Sequence, residues 1–181
     1  WMAEWLHRGI MALCGFSPVL MGVLIGGLWQ VLVSVGIHGI ITVLAFADVL
    51  AGNSSPLLAL SYSASFAVSG VAFAVFMRSR NSGEKQTAKA GAVSAIMGAT
   101  EPAMYALIKP DKKRFALCCA GGALGGATAG FFGISMHAYA GMGITGLFGF
   151  FQTGDVKLVG VLLMAVLPFG FTWLIEMLLY R

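Results

Sequence analysis

Residues 92–114 read AVSAIMGATEPAMYALIKPDKKR. An acid and a proline, Glu101 and Pro102, interrupt an otherwise apolar segment, and Lys109, Lys112, Lys113 and Arg114 close it. Neither Glu101 nor Pro102 suits a greasy straight helix, so the side of the membrane on which each end of this segment lies decides the fold.

Its surroundings are apolar throughout. Hydrophobic residues make up 59% of 181 and charged residues 10%, with a mean hydropathy of +0.89. A soluble domain carries about a quarter charged residues. The chain reads as an all-α integral membrane protein, a polytopic helical bundle forming one membrane domain over residues 1–181. It opens at Trp1 with neither an initiator methionine nor a basic-then-apolar leader, so a section of a longer polypeptide is expected.

The net charge of +4 is gathered in two places, Arg78, Arg80, Lys85 and Lys89 in one and Lys109 to Arg114 in the other. Basic clusters beside apolar spans are retained on the cytoplasmic side, and short loops account for them better than a nucleic-acid partner does. Cys14, Cys118 and Cys119 have neither disulfide-like nor metal-like spacing and read as small buried hydrophobes. No metal site and no cofactor are expected: the sequence has no HExxH, CxxC, Walker or Gly-x-Ser-x-Gly pattern.

About 20 apolar residues make one span. Four are expected: Phe16 to Val35, Pro56 to Met77, Phe115 to Ser135, and Leu158 to Tyr180, with irregular backbone around GIHGI (residues 36–40) and a partly folded, glycine-rich stretch between the last two spans. Gly122, Gly126 and Gly130 stand four apart on one face of the third span, a spacing that lets two helix backbones approach closely in lipid.

About nineteen residues separate Lys89 from Lys109, enough for one straight crossing. A straight crossing would put the two basic loops on opposite sides. Residues 90–108 are therefore expected to enter the membrane and return, a re-entrant hairpin with Thr100, Glu101 and Pro102 near its tip. Such backbone survives only where it is buried in protein or lines a wet cavity. Pro102 suits the first position of the returning helix, Glu101 before it is expected to be extended, and its carboxylate would stand at a helix N-terminus, where negative charge is favoured.

An ionisable residue at such a place is a functional candidate. The second is His38, flanked by Gly36 and Gly39, with Trp29 and Gln30 a little over two turns earlier. An aromatic face beside an amide is what a sugar ring asks for, although Trp29 also suits an interfacial anchor. His137 and His7 are placed at opposite surfaces and carry no site. A polar pair between broken helices is the pattern of transporters, which bind substrate near midplane.

GATEPAMYALIKPDKKRF (residues 98–115) resembles the G-[IV]-T-E-P-A-[IM]-[YF]-G motif of the sugar-transporting EIIC components of the bacterial phosphotransferase system, glucose superfamily. GGLWQVLVSVGIHGI (residues 26–40) resembles the histidine-bearing region of the β-glucoside branch. The two come in the family's order. Ala99, Ala106 and Gly39 depart from it, standing where the family tends to have Ile or Val, Gly, and Trp.

The resemblance implies the back half of an EIIC permease in the bacterial cytoplasmic membrane. Such a permease moves a sugar by an elevator-like motion and presents its C6 hydroxyl to an EIIB domain that carries phosphocysteine. It maps the family's glutamate onto Glu101 and its histidine onto His38 as catalytic and sugar-binding residues, with Thr100 and Gln30 as further sugar contacts. It implies a homodimer formed through the absent front half. No cysteine here sits in an EIIB-like loop and no EIIA domain is evident, so phosphorylation by this chain alone is not expected. A β-glucoside is the first expectation for the sugar, with sucrose, trehalose, maltose and amino sugars handled by sister families. The alternatives are an ion-coupled secondary sugar transporter with Glu101 as its coupling site, and a structural or sensory membrane protein.

Overall fold

The computed structural model describes residue 15 and residues 17–151 and 157–179. His7 and Cys14 lie outside the described residues. Among the described residues, four helices are long and apolar enough to cross a membrane. They are α1 (Pro18–Val35), α3 (Pro56–Arg78), α6 (Lys112–Phe132) and α8 (Leu158–Leu179), and between them lie shorter helices: α2 (His38–Leu50), α4 (Ser82–Ile96), α5 (Glu101–Ala103, continued as a π-helical turn over Met104–Ile108) and α7 (Gly143–Gly146, running into a 3-10 turn at Leu147–Phe150).

The ends of these helices follow local chemistry. Ser17 and Ser55 cap α1 and α3, each with proline next in sequence at a position where no amide is missed. Asp111 accepts from the Lys113 and Arg114 amides to start α6, so this span begins three residues before Phe115 and takes the basic cluster into its first turn. Gly36, left-handed at φ 86°, stops α1. Irregular backbone is expected after this point, but a helix of 13 residues follows. It is too short to cross, but nothing between Ile40 and Leu50 breaks it.

α3 is the centre of the bundle: 94% of its most apolar window is buried, against 33% for α8. Its serines are satisfied without water, Ser63 bonding the Gly122 carbonyl and Ser69 the Ala92 carbonyl. α6 runs antiparallel to α1, and the two approach backbone to backbone. A Cβ on Gly22 would strike the Gly126 carbonyl, one on Gly26 the Gly122 carbonyl, and one on Gly130 the Pro18 carbonyl. The glycine stripe of the third span is this contact. α8 packs on the other face of α6, where Thr172 donates to the Pro168 and Ala67 carbonyls.

Residues 90–108 form the re-entrant hairpin. α4 enters, the chain turns at Met97–Thr100, and α5 returns with Ala103 packed against Gly91. Arg114, just after the hairpin, lies 3.3 Å from Glu84, just before it, so both basic loops sit at one end of the bundle. One local expectation is corrected. Glu101 is the first residue of the returning helix rather than extended, and Pro102 stands second, because Thr100 ahead of them already has helical dihedrals (φ −87°, ψ −18°). The turn is made earlier, by Gly98 at φ 102°.

The same end carries an ionic knot. Arg114 Nε lies 2.8 Å from Glu176 Oε1 on α8 and 3.8 Å from Asp111 Oδ2, while Ser79 donates to Glu84. Glu176 is only 5% exposed. Arg114→Met should therefore lower stability by about 3–5 kcal/mol, the cost of stranding a buried carboxylate, and the added change Glu176→Gln should restore part of it in thermal unfolding in detergent. Gly126→Val should be worse than an ordinary overpacked core, at or above about 3 kcal/mol, because the clash is with backbone. The midpoint should fall, while Ala123→Val on the same helix should shift it less.

Candidate functional site

Three broken pieces of chain meet beside the middle of α3: the α1–α2 junction, the tip of the hairpin, and the returning loop after α6. The glycine at the end of α1 redirects the chain so that His38 opens α2. On the other side the turn at Gly98 places Glu101 at the start of α5. His38 Nε2 and Glu101 Oε1 stand 3.6 Å apart.

That separation is too long for a direct hydrogen bond. It suits two groups that reach for the same third partner. The Glu101 side chain is 50% exposed and that of His38 27%, so the carboxylate keeps lone pairs free for a ligand. His38 Nδ1 is buried with no hydrogen-bond partner among the described residues. The Trp29 indole stands edge-on to the imidazole, with ring centroids 6.2 Å apart, and fixes its plane.

The pair faces a cavity of about 320 Å³, lined on its polar side by Thr100, Ser65 and Trp29. This is the small end of the range for ligand pockets, which are about 300–1,000 Å³. Ser65 is the tenth residue of the 23 in α3, which sets the cavity close to the middle of a full span. Thr100 is buried and lines it. Gln30 does not. Its Nε2 donates to the Ala64 carbonyl at 3.0 Å, and the residue is wholly buried against α3.

The hairpin is held to the site from outside. Tyr105 donates to the Val33 carbonyl at 3.4 Å, and Lys109 donates to the Ser34 carbonyl while lying over the Tyr105 ring. Both are last-turn carbonyls of α1; that of Val33 also accepts the Gly36 amide, and a lysine there meets the negative end of the helix. Thr42, Val43, Tyr139 and Met142 complete the lining. The sequence offered no reason to name them: Tyr139 and Met142 come from the glycine-rich return, which has no helical or strand period, and Thr42 and Val43 lie on the unforeseen α2. His137, set aside from the sequence, does not line the cavity among the described residues.

Comparison with known proteins agrees with this architecture. The family model for "Phosphotransferase system, EIIC" matches residues 1–122. The chain is 32% identical over 155 residues to the β-glucoside-specific EIIBCA component of Halalkalibacterium halodurans, covering 86% of the chain and 24% of that protein. It is 31% identical to the β-glucoside-specific EIIBCA component of Bacillus subtilis, over 77% of the chain and 23% of that protein. It is also 26% identical to the arbutin-, cellobiose- and salicin-specific EIIBC component of Escherichia coli, over 99% of the chain and 38% of that protein. The chain thus spans about a quarter of the length of the first two of these relatives. No solved structure matches it significantly. With two thirds of the chain inside the family match, and its glutamate and histidine segments built into one cavity, the chain belongs to the EIIC family of the phosphotransferase system.

Proposed function

We propose that this chain is the sugar-handling section of a phosphotransferase-system permease in the bacterial cytoplasmic membrane, and that its sugar is a β-glucoside. The observation that carries the reading is the His38–Glu101 pair, 3.6 Å apart and open to a cavity near the middle of the bundle. A carboxylate accepts from two hydroxyls at once, and an imidazole both donates and accepts. Together they orient a pyranose, with Thr100 as a further contact. Gln30 acts at one remove, by fastening α1 to α3 beneath Trp29.

The partner is an EIIB domain carrying phosphocysteine, consistent with relatives named as EIIB-containing components. It docks at the basic end, which faces the cytoplasm. In the transfer, the C6 oxygen of the sugar forms a bond to phosphorus as the bond from phosphorus to the cysteine sulfur breaks. The sulfur leaves as thiolate, and Glu101 takes the hydroxyl proton. General-base help of this kind is worth roughly 10²–10⁴ in rate. The ion-coupled alternative draws no support from the family assignment.

The test uses membrane vesicles holding the protein together with an EIIB domain, the general phosphotransferase proteins and labelled phosphoenolpyruvate. Label should reach a β-glucoside, and Glu101→Gln should slow the transfer by roughly 10²–10⁴ without loss of folded protein, since the side chain is half exposed. His38→Ala should mainly raise the KM for the sugar. Entry of unmodified sugar that stops with a protonophore would overturn the proposal in favour of ion coupling.

A further inference from the structure

The hydroxyl side chains that line the cavity are not equivalent. Thr42 stands four residues after His38 on α2, on the same helix face, and both line the cavity. Its Oγ1 donates to the His38 carbonyl at 3.0 Å. Ser65, on α3, lines the cavity too, and its hydroxyl donates to the Tyr62 carbonyl at 3.0 Å. A hydroxyl has one proton to give and two lone pairs to accept with. In both residues the proton is spent on the residue's own helix, so what either offers a ligand is an acceptor.

Thr100 differs. It stands at the head of α5 but its side chain makes no capping bond, which leaves its hydroxyl able to donate. The Glu101 carboxylate, when ionised, only accepts, and among the described residues no lysine or arginine lines the cavity. Acceptors therefore reach the cavity from α2, α3 and α5 alike.

The bonds of Thr42 and Ser65 do not tie the bundle together. Each closes on its own helix, whereas Ser63 and Ser69 of α3 bond carbonyls of α6 and α4. Ser61 makes the same kind of bond as Ser65, to the Leu58 carbonyl, but does not line the cavity.

Given the sugar permease reading, on which this rests, we propose that Thr42 and Ser65 are specificity-determining residues that accept hydrogen bonds from sugar hydroxyls in the cavity of the His38–Glu101 pair. A glucoside brings more hydroxyl protons than one carboxylate takes up, and the two acceptors give further protons a place. A site built to bond a hydroxyl rejects the analogue that lacks it, because a polar group of the wall is then left facing nothing. Fluorine in place of a hydroxyl keeps much of the bulk and removes the proton, so it separates donation from fit.

Calorimetric binding to the protein in lipid nanodiscs tests this, with methyl β-glucoside and its monodeoxyfluoro analogues at the ring positions that carry secondary hydroxyls. Thr42→Val, which keeps the shape, should weaken methyl β-glucoside about two- to twelvefold, the range one lost hydrogen bond gives. The analogue fluorinated at the position that Thr42 meets should bind the variant and the parent equally, while the other analogues fall with the parent sugar. Thr42→Ser should bind as the parent does. Ser65→Ala should show the same selective pattern, and Ser61→Ala should leave all the affinities unchanged. If Thr42→Val does not fold, Thr42→Ala takes its place. Equal loss for the sugar and every analogue, or no loss for any, overturns the acceptor role alone. A parent that binds no methyl β-glucoside strikes the β-glucoside reading itself, and this proposal with it.

Discussion

The grip of the hairpin on the end of α1 is the interaction on which the rest depends. A chain that turns back inside a bilayer exposes amides and carbonyls where no water can satisfy them, each at a cost of several kcal/mol. Here the problem is met by joining two broken ends. The last carbonyls of α1, at Val33 and Ser34, accept from Tyr105 and Lys109 of the returning arm. One break therefore covers the other. That junction also places His38, two residues after the left-handed Gly36, beside Glu101 at the head of the hairpin arm. The polar pair is a consequence of how the backbone breaks are closed.

A close junction needs a scaffold with no slack, and the glycines provide it. In lipid there is little hydrophobic drive between helices, so contact area and close approach must hold them. Gly22 and Gly26 of α1 interlock with Gly122 and Gly126 of α6 at backbone distance, which fixes the height of α1 against the bundle. Gln30 then ties the same helix to the Ala64 carbonyl of α3. The height of Trp29 and of the α1 end, and so the position of His38, is set by these contacts. The ionic knot around Arg114 does the corresponding work for the hairpin, linking its entry at Glu84 to α6 and α8.

Much of this was legible in the sequence, for identifiable reasons. The spans end where serine, proline, aspartate and glycine dictate, and the hairpin followed from a conflict of charge: two basic loops, one span's length apart, that belonged on one side. The structure brings those loops together through Arg114 and Glu84. Glu101 and His38 were conspicuous as ionisable residues in apolar settings. Faces were harder. Trp29 and Gln30 are neighbours in sequence but point about 100° apart on a helix of 3.6 residues per turn, so one reaches the cavity and the other α3. The helix after Gly36 was hidden too, because an apolar run without polar alternation has no visible period.

The least legible segment, residues 136–150, closes the cavity. It lacks period because its conformation is set by non-local contacts: the bridge at Ser55 and Met136 and Gly98 at the hairpin tip from outside, and the bonds from His137 and Ala138 to the Gly149 carbonyl within it. Such a loop can change its side chains without disturbing a helix face, whereas His38 and Glu101 are bound to the breaks that make the fold. On the proposed reading, the polar pair and the rest of the cavity wall then lie on different kinds of backbone. His38 and Glu101 sit at helix ends fixed by packing, whereas Tyr139 and Met142 sit on a loop outside the long helices. Relatives are named for β-glucosides and for sucrose, and on the proposed reading that division would let one scaffold keep the pair while changing the wall around it.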